Sequence, residues 1–421
     1  MRVLMISWEY PPKNVGGLAR HVWHLSKALA RRGVEVHVVT VGDESLKQRQ
    51  DDGGVRVHRV VPYRLSPPEF VPWVLQLNVS LLERAVSVLN DLDGVDLVHC
   101  HDWLGAFAGR ALKHTYRVPL IATIHATEHG RHQGLHNAWQ RYIGDVEWWL
   151  TYEAWRVICC SQYMQGELQS VFQLPADKIR AIRNGVDPAE FETRSNRKRE
   201  EFAHRSESIV FFVGRLVPEK GVQVLLDAIP EVRKVKPMTR FVIAGTGPSE
   251  SWLKAKAYQM GVADQVRFTG YIDDPVRNSL YSWADVAVFP STYEPFGLVA
   301  LEGMAARCPV IVADCGGLSE TVEHGVDGLK CRVGDSGSLA AEILHVLCDA
   351  QYAGYLRDNA YKKVTMDYTW GGVADETLSV YSEVLNDHRR SLWKSEAAGL
   401  RLPKPFALTR AFMEWGRYSR A

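Results

Sequence analysis

The chain has 421 residues, 46% hydrophobic and 24% charged, the composition of an ordinary soluble protein with room for two or three cores at about 150 residues each. Its 50 basic and 49 acidic side chains leave a net charge of +1, which excludes a bulk field for nucleic acid or a membrane surface. Recognition has to be local.

The first segment, RVLMISWEYPP, begins as a short apolar strand. It lacks the apolar length and small-residue cleavage site of a secretory signal. No run of about eighteen uncharged apolar residues follows, so a cytoplasmic protein is expected. GLARHVWHLSKALARRG places Leu18, Val22, Leu25 and Leu29 at helical spacing, with Gly33 as the stop. Further strand-like runs are VEVHVVTV, VRVHRVV, DLVHCH, PLIATIH, RVICCS and KIRAIRNGVD, alternating with amphipathic stretches. This alternation predicts an α/β fold built on a parallel sheet covered on both faces. The seven cysteines show no paired spacing, and Cys159 and Cys160 are adjacent inside an apolar run, so they read as reduced core residues. In AWQRYIGDVEWWLTYEAW, Trp148 and Trp155 share a helical face that suits core or interdomain packing, while stacking on a sugar polymer is the functional alternative.

ETRSNRKREEFAHRSES (192–208) is charged and nearly free of large apolar residues, and predicts a linker or solvated loop. The pattern then restarts with IVFFVGRL, RFVIAGTG, VRFTGYI, VAVFPS and PVIVAD, again separated by helices. Two Rossmann-like domains are predicted, over 1–190 and 207–375, facing a cleft into which the loops beyond the strands' carboxyl ends converge. Residues 376–421 are expected to form a C-terminal helix and a tail that crosses back to the first domain, with membrane contact through the tail's basic and aromatic residues as the alternative.

Three loops carry candidate chemistry. Gly16 and Gly17, after the first strand, would let backbone N–H groups approach an anion or a sugar, or else simply make a tight strand-to-helix turn. In the second half FVGRLVPEKGV offers Arg215 and Lys220, two cations that could neutralise a diphosphate without a metal. PSTYEPFGLVALEGMA sets Glu294 on a loop and Glu302 about one and a half turns into the following helix, whose first turn is expected to contain Gly297. The helix mouth suits phosphate. One acid can then grip a sugar there while the other reaches a ribose.

FVGRLVPEKG, AGTGP, FTGYI, PSTYEPFGLVALEGMA and PVIVADCGGLSE, with GGLARH and NGVD earlier, resemble the retaining family-4 glycosyltransferases of the two-domain GT-B fold, over most of residues 1–385. WEYPP, GGLA and HCHDW resemble the bacterial glycogen and starch synthase branch. ATIHATEHGRHQG and VEWWLTYEA are similar to actinobacterial α-(1→4)-glucosyltransferases of intracellular glucan or methylglucose polysaccharide synthesis. The resemblance implies a nucleotide-glucose donor, ADP- or UDP-linked, an α-glucan or maltooligosaccharide acceptor, and neither cofactor nor metal. It assigns Arg215 and Lys220 to the donor diphosphate, Glu294 to the glucosyl hydroxyls and Glu302 to the ribose. It sets His125 against the transferred sugar and Asp102 in the same pocket. Gly16, Gly17, Gly297 and Leu298 become backbone contacts to the donor. One departure is Asn14, which stands where glycogen synthases commonly carry lysine; Lys13 lies one position further back.

No motif offers an evident carboxylate nucleophile for a double displacement, so same-face substitution is expected, the leaving phosphate taking the incoming hydroxyl's proton. HATEH (125–129) spells a zinc-peptidase string, but such a string has to lie within a helix, and here a strand runs into it. DLD (91–93) is expected to be a polar turn. An enzyme acting on a lipid or small molecule, or a non-catalytic nucleotide-sugar-binding module, are the alternatives.

Overall fold

The computed structural model describes residues 1–13, 16–63, 65 and 69–393; Asn14 and the tail from 394 lie outside the described residues. Eight strands make the first sheet: β1 (Arg2–Ile6), β2 (Glu35–Val41), β3 (Arg49–Asp52), β4 (Val55–Val60), β5 (Leu97–His101), β6 (Leu120–Ile124), β7 (Arg156–Cys159) and β8 (Ile179–Ala181), in the order β3-β4-β2-β1-β5-β6-β7-β8. Every pairing is parallel except that of β3 with β4. Six strands make the second: β9 (Ser208–Val213), β10 (Thr239–Ala244), β11 (Val266–Gly270), β12 (Val286–Phe289), β13 (Val310–Ala313) and β14 (Leu329–Cys331), all parallel, in the order β11-β10-β9-β12-β13-β14. The strands read as near-continuous apolar runs because helices cover both faces. β3 and β14 were absent from the sequence expectation: Arg-Gln-Asp-Asp is a polar, mostly exposed edge, and a strand of three residues shows no alternation.

The sheets are filled from both sides. The helix Gly17–Ala30 buries Leu18, Val22, Leu25 and Leu29 against one face of the first sheet, as its spacing predicts. On the same face lies the helix Trp370–Arg390, which returns from the second sheet and buries Trp370, Val373, Tyr381 and Val384. Arg32 pairs with Asp375, Arg156 with Glu383 and Asp387, and the Tyr381 hydroxyl lies 2.7 Å from His99 Nδ1. Trp393 continues the contact, lying against Trp155 and His388. The chain therefore passes between the sheets twice, and the passages adjoin: the Val186 N–H donates to the Tyr368 carbonyl at 2.8 Å.

Three expectations need correction. The charged segment 192–208 is not simply solvated: Phe202 is buried with Arg197 over its ring, because its aromatic side chain docks near Trp283. Trp148 is exposed and stacked on Tyr152, while Trp155 lies beyond the helix Ala138–Glu153, so the two do not share a packed face. Among the cysteines, all free, Cys348 is exposed and Cys315 half-buried, since both sit at helix ends rather than inside strands. The turn at DLD behaves as expected, with Asp93 left-handed at φ 55° just after the helix Phe70–Leu92.

Candidate active site

Each sheet has a point where strand order reverses, β1 between β2 and β5 in the first and β9 between β10 and β12 in the second. Loops diverge at such points and leave a crevice beyond the strand ends. Every predicted site residue lies on an element that leaves one of these sheets.

In the second sheet the chain leaves β9 through an exposed Arg215 and a short turn, Pro218–Lys220. Gly221 then adopts φ 71°, and a Cβ there would stand 1.8 Å from the Pro290 carbonyl oxygen, so only glycine lets this loop lie against the one after β12. The Thr292 N–H donates to the Glu219 carbonyl at 2.8 Å. Lys220 Nζ consequently reaches Glu294 Oε2 at 2.6 Å, and Glu294 is only 8% exposed. Gly297, at φ 96°, caps the helix Leu298–Ala305 rather than lying in its first turn: its left-handed backbone is outside the helical range, and a Cβ would meet Leu318 at 2.4 Å.

Glu302, the fifth residue of that helix, is buried and answers the other side of the cleft. Arg20 Nη1, from the first sheet's opening helix, lies 3.3 Å from Glu302 Oε1, and Arg277 Nη1 lies 3.7 Å from the same atom. Arg20 also pairs with Asp274. The sequence reading missed both arginines: Arg20 was read only within the GGLARH motif and its helix, the helix of Arg277 was not singled out, and only the fold brings them to the acid.

In the first sheet, Gly16 precedes the helix Gly17–Ala30 with extended backbone, and the space where its Cβ would stand is open. Among the described residues nothing demands glycine at that position. The Gly16 N–H donates to Glu9 Oε2 at 3.1 Å, so it already serves a carboxylate. A Cβ on Gly17 would stand 3.0 Å from Leu298 Cδ1, which places the two predicted backbone contacts face to face across the cleft. Lys13 Nζ lies 3.1 Å from Asp43 Oδ2, so its cation is engaged within the first sheet's own loops.

Asp102 follows β5 in a positive-φ conformation, at 57°, and its Oδ1 accepts the His125 N–H at 2.7 Å. Burial pushes the Asp102 carboxyl up to about 6, against the field of Arg131 and the bond from His125. His125 directly follows β6, outside the short helix Glu128–His132 that Thr127 caps, so HATEH does not form a helical ligand pair. Burial, then the Arg131 charge, pushes the His125 imidazole down to about 3, and the ring is neutral at ordinary pH. Cys160 Sγ lies 3.9 Å from the His125 carbonyl and 3.7 Å from that of Pro295, the residue after Glu294. The two halves of the predicted site therefore share a neighbour. Around His125 stand His21 and His101, neither singled out from sequence, with ring centres 4.6 and 5.6 Å from it.

Two facing Rossmann-like sheets with this cleft are the GT-B architecture. Residues 15–190 match Glycosyltransferase Family 4 and residues 194–363 match Glycosyl transferases group 1. The chain is 39% identical to an uncharacterised glycosyltransferase of Methanocaldococcus jannaschii, over 90% of this chain and 98% of that one. It is also 39% identical to the glycogen synthase of Mycobacterium tuberculosis, over 90% and 94% respectively. Among solved structures it resembles sucrose-phosphate synthase from Thermosynechococcus elongatus, with a TM-score of 0.81 and 25% identity over 92% of this chain and 99% of that one. The chain belongs to the family-4 glycosyltransferases. It is a retaining hexosyltransferase related to the glycogen and sucrose-phosphate synthases. Among the described residues no helix is long and apolar enough to cross a membrane.

Proposed function

We propose that the chain transfers glucose from a nucleoside diphosphate glucose to the non-reducing end of an α-(1→4)-glucan. The observation that carries this reading is the contact of Lys220 with Glu294, a cation for the leaving diphosphate beside an acid for the sugar hydroxyls. Likeness to a glycogen synthase supports the choice of sugar and acceptor. In this reading the second Rossmann-like domain, 207–375, binds the donor and the first, 1–190, the acceptor, with residues from 376 returning to the first.

Breaking a glycosyl–phosphate bond leaves cationic character on the sugar and negative charge on the departing diphosphate. Cations held in place at the leaving group therefore act on the transition state more than on the ground state. Lys220 and Arg215 fill that role, joined by the N-terminal N–H groups of the helix Leu298–Ala305. Glu294 orients the glucosyl hydroxyls, and Asp102 fixes the backbone of His125 against the sugar. Glu302 takes the ribose: its Oε1 faces the two arginines, and a carboxylate accepts at about four positions, so the ribose hydroxyls can share it. The acceptor hydroxyl attacks on the face the diphosphate leaves, and a phosphate oxygen receives its proton. The base is read by backbone near Tyr271 and Ile272.

The test incubates the full chain with labelled ADP- and UDP-glucose and maltooligosaccharides, with a resistant metal chelator present throughout. A longer product fully degraded by an α-(1→4)-specific amylase, formed at an undiminished rate in chelator, is expected. A β-linked product overturns the reading, as does complete loss on chelation restored by Mn²⁺. The likeness to sucrose-phosphate synthase favours a second reading, a small sugar or sugar phosphate as acceptor. Transfer to such a compound but not to maltooligosaccharide would select it.

A further inference from the structure

His21, His101 and His125 come from three segments, the opening helix and the ends of β5 and β6, and meet at the base of the cleft. One ring nitrogen from each lies within 4.8 Å of the others. The His21 Nδ1 stands 2.6 Å from Asn184 Oδ1, an acceptor, so Nδ1 carries the proton and Nε2 keeps its lone pair. That Nε2 is buried with no hydrogen-bond partner; His101 Nε2 is also unpartnered, but the His101 nitrogen that faces His125 is Nδ1. Unpartnered buried nitrogens are rare because each gives up its water without return. His21 is 4% exposed and His101 fully buried, so bulk water does not satisfy them.

The spacing suits a metal ion. For tetrahedral zinc with Zn–N of about 2.05 Å, two ligating nitrogens stand about 3.3 Å apart, and ring centres about 5.2 Å apart. Here His101 Nδ1 and His125 Nε2 are 3.3 Å apart, a hydrogen-bond contact that a shared metal would replace, and the three ring-centre separations are 4.6, 5.5 and 5.6 Å. Asn184 would serve as the outer partner that fixes a ligating imidazole's tautomer, a recurrent feature of histidine-bound metals. The donor set is purely imidazole, which selects zinc and its neighbours over magnesium or calcium. Three ligands leave a fourth position for a solvent or substrate oxygen.

We propose that His21, His101 and His125 form a binding site for Zn²⁺ at the base of the cleft, and that its occupation excludes the donor sugar. The metal takes no part in transfer. It draws the His125 ring toward the cluster and leaves a dication where the glucosyl group would lie, so zinc and donor compete. The competition rests on the donor chemistry proposed above, whereas binding of the metal does not.

The experiment uses the full chain stripped of metal by a chelator that is then removed. Zn²⁺ is titrated by calorimetry and Co²⁺ by the visible absorption of its four-coordinate form, on the parent and on His21→Gln and His101→Gln. One equivalent is expected on the parent, with four-coordinate cobalt absorption. Each variant should weaken binding by about tenfold or more. Folding of the variants is followed by circular dichroism, and the parent titration stands without them. Zinc should raise the parent's KM for donor without lowering kcat, and the variants should lose that effect, read as the ratio of rates with and without zinc. No stoichiometric binding to the parent, or affinity unchanged in both variants, overturns the site. Binding with no effect on any donor's turnover overturns the competition alone. A chain that binds zinc but transfers no glucose refutes the proposed function and leaves the metal site standing.

Discussion

The two sides of the cleft share one architecture and use opposite chemistry. On the second sheet the loops present charge in motifs: Arg215, Lys220, Glu294 and Glu302 lie within loops and a helix start that follow two adjacent strands. The first sheet instead buries neutral imidazoles, with His21, His37, His58, His99 and His101 all inside, whereas His204, His324 and His345 of the second half are exposed. A departing diphosphate needs fixed charge, while a sugar needs polar groups that do not compete for it. The division predicts that charge substitutions on the second side strike turnover, and that the first side governs the response to acid.

The largest effect is expected at the diphosphate. Lys220→Ala should lower kcat/KM by about 2–4 kcal/mol, roughly 30- to 900-fold, as for a lost preorganised transition-state contact. It should also lower the melting temperature, because buried Glu294 loses its ion partner. Arg215→Ala should lose activity on a similar scale with its melting temperature unchanged, since Arg215 is exposed. Steady-state kinetics and calorimetric melting check both. An Arg215→Ala enzyme within threefold of the parent would remove that residue from the site.

The glutamates should part by role. Glu294→Ala is expected to depress kcat at saturating donor, whereas Glu302→Gln should raise donor KM about tenfold with kcat little changed, as for a contact remote from the reacting bond. Equal losses of kcat in both would mean that the Arg20 and Arg277 pairs make Glu302 part of the reacting geometry.

The smallest effect sharpens the contrast in histidines. Burial pushes His24 down to about 3 and His58 to about 4, each below the usual 6.5. A depressed imidazole stabilises the fold above its unfolded pKa and loses that contribution as pH falls toward the folded value. Each should therefore withdraw on the order of half a kcal/mol between pH 7 and pH 6, and more below. Denaturant unfolding across pH 7 to 5 measures the slope, and His58→Gln should flatten it. A slope unchanged in His58→Gln would deny that the first sheet's buried imidazoles set the response to acid.

The sequence disclosed the second side of the site more fully than the first, for a physical reason. Charged residues on loops after apolar strands are conspicuous, and Lys220 and Glu294 turned out to touch. The alternation of strands and helices was legible because strands covered on both faces must be apolar. The imidazole cluster was hidden, since histidine carries no periodic signature and its members come from separate segments. The alternation of His99 and His101 along one strand, which puts both on the same face, was the available clue. Arg20 and Arg277 gave none, as Arg20 reaches Glu302 from across the cleft and Arg277 from a separate helix of the same half.

The adjoining passages between the sheets have a mechanical consequence. A domain joined to its neighbour by one strand can swivel, but here two strands of chain run side by side and are bonded at Val186 and Tyr368, with Gly185 packed so tightly that a Cβ would stand 2.7 Å from the Trp370 nitrogen. The pair acts as the spine of a book. Any opening of the halves is expected to follow that line, which would bring Gly17 and Leu298 back to the same opposition on closing.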